Sequence, residues 1–172
     1  LEKMIEAVPQ VIDKTIAFFE KNVSTFKLAN RFVTIGYGPN WGTAKEFETK
    51  FTETVRVPSQ GVELEAYMHG PYLEANHEHV LFFIEATSSN QTRSQLLRDY
   101  MTSHVGKAYT ITVAAAADSD TLGLDVACEE LFSPLLLVIP FQIFSYLGAA
   151  AKGIDLSKRI FDDFDQVLKS KI

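Results

Sequence analysis

The chain has 172 residues, 47% hydrophobic and 22% charged, which is material for one globular domain with its own core. Its formal net charge of −6 argues against a nucleic-acid backbone or an anionic membrane as the main partner, because either calls for a basic stripe. The single cysteine, Cys128, leaves no intrachain disulfide and no multi-thiolate metal site, and with no secretory leader pattern the expectation is a protein of the reducing cytoplasm.

Residues 1–29 carry Ile5, Val8, Ile12, Ile16, Phe19 and Val23 three or four apart, the period of an amphipathic helix or two. We read residues 1–30 as a helical connector, with the chain a piece of a longer protein. At "RFVTIGYG", 31–38, the pattern changes to a short β-branched and aromatic run closed by Gly-x-Gly, which predicts a buried strand. A helix follows from about Asn40. Three further strands are expected at 53–59, 78–86 and 108–117, with a crossover helix at 94–105. Strand and helix alternate without tight hairpins, so the predicted fold is a three-layer α/β/α sandwich with a mainly parallel, flavodoxin-like sheet. The apolar stretch 135–151 is broken by Pro140 and Gln142 and is at the short limit for a bilayer span; it reads as core, opening a largely helical tail.

Behind the Gly36-x-Gly38 turn, Glu46, Lys50 and Glu53 fall at i, i+4 and i+7 and form one polar stripe, while Ala44, Phe47 and Phe51 occupy a stripe facing the sheet. As an ordinary solvated face, the stripe would hold a Glu46–Lys50 pair worth about 0.2–0.5 kcal/mol. Its position just beyond the carboxyl end of the first strand, where open parallel sheets place ligands, gives it a functional alternative. A third glycine of a dinucleotide fingerprint would fall at Trp41, so a nicotinamide or flavin cofactor is disfavoured and no cofactor is expected. His69 precedes Gly70-Pro71 in a loop; with His77 and His79 it makes a weak metal set, read as ordinary surface histidines.

Residues 36–71, "GYGPNWGTAKEFETKFTETVRVPSQGVELEAYMHGP", resemble without a gap the second sugar isomerase (SIS) domain of the glucosamine-6-phosphate synthase isomerase module and of fructosamine-6-phosphate deglycases. "VIPFQIFSYLGAAAKGID", 138–155, is similar to a later helix of the same family. The resemblance implies that Glu53 is the base that moves a proton between C1 and C2 of an open-chain phosphosugar. It implies that His69, reaching the site from a neighbouring subunit, opens the ring, and that Glu46 and Lys50 orient the substrate. A homodimer with a shared active site follows from the same likeness. In the family's phosphate loop, Thr87, Ser89 and Thr92 match the hydroxyl positions and Asn90 stands where glycine is usual; the plain alternative for 87–94 is a helix start in an Asn/Ser-rich turn. Lys169 corresponds to a tail lysine that forms an imine in the synthase, against the alternative of an exposed terminal lysine. No glutamine-hydrolysing domain is visible. The expected function is the carboxyl-terminal SIS half of a phosphosugar isomerase, deaminase or deglycase. The alternatives are a sugar-phosphate-sensing module and a purely structural half.

Overall fold

The computed structural model describes residues 1–170. Five parallel strands stand in the order β2-β1-β3-β4-β5: β1 Arg31–Gly36, β2 Ser59–Glu63, β3 His79–Glu85, β4 Lys107–Thr112 and β5 Thr121–Gly123. The order reverses between β1 and β3, the switch point beside which such sheets bind ligands. The expected sandwich is present, and its sheet is parallel throughout.

One face is covered by three helices, α1 Glu2–Leu28, α2 Asn40–Thr54 and α5 Pro134–Ala151. The period read in the first 29 residues makes one unbroken helix about 40 Å long, with Val11, Phe18, Phe19 and Phe26 inward. Phe82 of β3 is at the centre of this layer, in ring contact with Phe26, Phe32, Phe47, Tyr109, Phe141 and Phe144. A segment around α5, 130–151, is long and apolar enough to cross a membrane, but α5 here lays Leu137, Phe141, Phe144 and Gly148 against α1 and α2. The opposite face is thinner. It is covered by α3 Leu64–Tyr67, a 3₁₀ turn at Pro71–Glu74 and α4 Gln91–Met101, packed on Val33, Ile35, Leu81 and Phe83.

Several boundaries differ from the sequence expectation. The second strand is 59–63 rather than 53–59, because α2 continues through Thr54 and Arg56 then turns left-handed (φ 57°). Pro58 has no N–H to give a ladder, although its carbonyl accepts from Phe32 N at 3.1 Å. The strand expected over 108–117 stops at Thr112, and Asp118–Asp120 turns the chain into the three-residue β5. The crossover helix starts three residues earlier than expected and ends four earlier. Beyond α5 the tail is mostly turns, with helix only in α6, Phe164–Leu168.

Candidate active site

Close packing requires a glycine at Gly36: a Cβ there would meet the Asn40 carbonyl oxygen in the first turn of α2. Gly38 takes φ +51° and has the Glu130 carboxylate overhead, 2.8 Å from where a Cβ would sit. Asn40 is fully buried, donating through Nδ2 to Ser133 Oγ at 2.7 Å and accepting from Thr43 Oγ1 at 3.2 Å. The start of α2 is thereby tied to the start of α5. Its apolar stripe is as expected, with Ala44, Phe47 and Phe51 buried.

The polar stripe of α2 is in place, with its ion pair one step along. Lys50 Nζ donates to Glu53 Oε2 at 2.9 Å, an i,i+3 pair, and Glu46 makes no hydrogen bond to either. The expected Glu46–Lys50 pair is replaced because Glu53, in the last turn, lies nearer the ammonium. The hydrogen bond and charge of Glu53 hold Lys50 above its ordinary pKa, with Glu46 adding to the effect, so Lys50 is cationic through the neutral range. One oxygen of the exposed Glu53 carboxylate is thus fixed by a cation, and the other is unengaged among the described residues. That arrangement orients the carboxylate and leaves one oxygen open to solvent.

His69 follows α3 and is exposed, its Nδ1 2.7 Å from the Glu65 carbonyl. The carbonyl only accepts, so Nδ1 is the donor in this contact and Nε2 is left outside it. The Glu65 carboxylate pairs with Arg93 of α4, which fastens this turn to the neighbouring helix and lowers the Glu65 pKa. Because α2 covers one face of the sheet and the His69 turn covers the other, the sheet stands between Glu53 and His69, and neither a hydrogen bond nor an ion pair joins them. One chain does not assemble both groups.

At the switch point, Tyr37 OH donates to the Ala86 carbonyl at 2.7 Å and accepts from its N–H at 3.0 Å, clamping the two crevice loops together. Burial, with Glu85 and Glu130 adding to it, pushes this phenol up to about 12. Thr87 lines a cavity of about 580 Å³ over the carboxyl ends of β3–β5, together with Asp125, Cys128, Glu129 and Glu130. Ser89 and Thr92 are exposed and lie outside that lining. Asn90 caps α4 without a side-chain hydrogen bond. The three carboxylates make this cavity electronegative. Lys169 is exposed at the left-handed end of α6. Among the described residues, no group of three or more His, Cys, Asp or Glu is placed to hold a metal ion.

Sequence reasoning missed two further features. Glu85 is buried beneath α4, where Ser94 Oγ donates to it at 3.1 Å and Arg98 approaches to 3.9 Å. A cleft of about 640 Å³ at the amino ends of β1 and β2 is lined by Arg31 and Arg56. Neither arginine lies in a motif; the one available signal was an arginine at the position after a helix where glycine is usual.

An all-parallel 2-1-3-4-5 sheet, with a glycine-initiated helix presenting a Lys-oriented carboxylate, makes an SIS-like α/β fold. The chain resembles the SIS domain family, and within it the carboxyl-terminal isomerase module of glucosamine-fructose-6-phosphate aminotransferase. It is 29% identical over 169 residues to glutamine–fructose-6-phosphate aminotransferase (isomerizing) of Pyrobaculum aerophilum, covering 91% of this chain and 27% of that one. Among solved structures, it superposes on a phosphosugar isomerase candidate from Clostridium difficile 630 with a TM-score of 0.86 at 20% identity, over 99% of this chain and 49% of the other. Glucosamine-6-phosphate deaminase of Thermotoga maritima gives a TM-score of 0.75 at 20% identity, over 92% of this chain and 46% of that chain. The present chain therefore spans about a quarter of the curated relatives' length and about half of those solved chains. No family model matches it.

Proposed function

We propose that this chain is the proton-transfer half of a phosphosugar isomerase, deaminase or deglycase, acting on a phosphorylated amino sugar or fructosamine. The observation that carries the reading is the Glu53 carboxylate, exposed, with one oxygen held by Lys50 at 2.9 Å. In the open-chain sugar the free oxygen takes a proton from the carbon beside the carbonyl, the electron pair moves to form an enediol or enamine, and the proton returns to the neighbouring carbon. Lys50 holds one carboxylate oxygen and leaves the other free for the transfer. Glu46, one turn earlier on the same stripe, orients the sugar hydroxyls. His69 Nε2 moves the proton needed for ring opening. Because the sheet separates it from Glu53 within one chain, we assign it to the site of a second copy in a homodimer.

The test is deuterium incorporation at C1 and C2 of candidate phosphosugars in heavy water, followed by NMR on the longest natural form of the protein. Glu53→Gln should bind the sugar and lose exchange by at least about a hundredfold, the usual scale of a positioned base. Binding without exchange in the unaltered protein would replace the enzyme with a sugar-phosphate sensor.

A further inference from the structure

The two large cavities at opposite ends of the sheet have opposite electrostatic character. The cavity at the carboxyl ends of β3–β5 has Asp125, Glu129 and Glu130 in its wall, whereas the cleft at the amino ends of β1 and β2 has Arg31 and Arg56 and no carboxylate in its lining. Thr52, Ser59 and Gln60 complete the cleft's polar wall, and Ile160 of the tail closes one side. In a chain of net charge −6 this is where an anion would settle.

Arg31 Nη2 is engaged by Glu74 and by Gln60 Oε1, the latter at 3.0 Å, while its buried Nε has no hydrogen-bond partner among the described residues. The Arg56 guanidinium makes no hydrogen bond or ion pair there at all, and only its backbone N–H is used, donating to the Phe51 carbonyl at 2.9 Å. Arg56 also sits at φ 57°, the position after a helix where glycine is the unstrained residue. A left-handed, unpartnered arginine adds nothing to the fold that glycine would not supply better. The cleft adjoins the carboxyl end of α2, whose fractional negative charge is smaller in magnitude than the positive charge of two guanidinium groups.

We propose that the Arg31–Arg56 cleft is an anion subsite for the ligand handled by Glu53. Arg56 would grip a phosphate or carboxylate in the forked geometry of a guanidinium, with Ser59 as the second contact and Arg31 adding positive charge from the wall. The inference rests on the proposed function: Thr52 in the cleft wall immediately precedes Glu53 on α2, and although the Glu53 carboxylate is outside the lining, an anionic arm held here would belong to a molecule long enough to reach it. Two sources share this chemistry: the sugar's own phosphate, and the carboxylate of an amino acid joined to the sugar.

The experiment is titration of the guanidinium Nε–Hε resonances in the full chain with inorganic phosphate, then with fructose 6-phosphate and N-acetylglycine. Saturable shifts of Arg56 and Arg31 are expected, with Arg93 and Arg159, paired to Glu65 and Asp165, unmoved. Arg56→Gly should weaken phosphate binding about tenfold, the loss of one charge-assisted contact, without lowering the melting temperature. Arg56→Gln should weaken it equally. Saturation by fructose 6-phosphate assigns the sugar's phosphate, and saturation by N-acetylglycine alone assigns the carboxylate. Non-saturating shifts, or binding unchanged in both variants, would overturn the proposal. The readout needs no turnover, so its failure is separate from loss of Glu53-dependent exchange.

Discussion

At the scale of single residues, the buried ionisable group whose behaviour can be checked most directly is Glu85. Burial raises its pKa above the ordinary 4.5, with Arg98, Ser94 and Gln95 opposing the rise and Asp99 adding to it. A raised carboxyl pKa means the folded state disfavours the charged form. Its contribution to stability is therefore complete below the ordinary value and is lost as pH rises through the raised one. Glu85→Gln keeps the Ser94 contact and removes the buried charge, while Arg98 retains Asp99 and Thr110 as partners. The variant should melt higher than the parent protein at pH 7, with the difference closing as pH falls to about 4. A melting curve series over that range checks it. Glu85 was not legible as special in the sequence, because an acidic residue ending a strand looks the same whether it meets solvent or lies under a helix. The Glu46, Lys50 and Glu53 stripe was legible, since helical spacing alone puts those residues on one face; which pair closes depends on rotamers that spacing does not set.

At the scale of elements, the three-helix face rests on aromatic packing around β3. Phe82 is fully buried and touches rings from α1, α2, α5, β1 and β4, so truncating it opens a void bordered by five elements at once. Phe82→Ala should cost about 3–5 kcal/mol in chemical denaturation, the range for removing a buried aromatic. The elements with two covered faces, β1, β3 and β4, could be read from their apolar runs; α1 could be recognised as a helix from its period, but of the positions that carried the period only Phe19 is buried, while Ile5, Ile12 and Val23 are exposed. Two strands could not. "SQGVE" in β2 is an edge strand with one neighbour and no β-branched run, and β5 is only three residues long, below the length at which alternation is visible. The apparent strand at 53–59 misled because Val55 and Val57 are apolar through packing beside a helix end rather than in a ladder.

At the scale of the whole molecule, the division of Glu53 and His69 between opposite faces makes the proposed activity a property of an assembly. Glu53→Gln and His69→Ala would each be inactive alone. Mixed and allowed to exchange subunits, they should recover up to about a quarter of the parent activity, because half of the dimers are mixed and one of their two sites is intact. Recovery measured against mixing ratio checks it, and no recovery would place both groups in one subunit's site or remove one of them from the chemistry. The sixteen-residue spacing between these side chains did not reveal their separation, which depends on the intervening strand passing through the sheet layer.

The carboxyl ends of the first helix and of α5 are also joined. Lys152 follows α5, and its ammonium donates to the carbonyls of Lys27 at 2.7 Å and Ala29 at 3.1 Å, closing the end of α1. Burial lowers this lysine's pKa, and the link draws α1 and α5 together at the end where a helix would otherwise fray. Amide protons in the last turn of α1 and the last turn of α5 therefore share an opening event. Hydrogen exchange should find the two segments, 125 positions apart, opening as one unit of local unfolding, and Lys152→Ala should separate them.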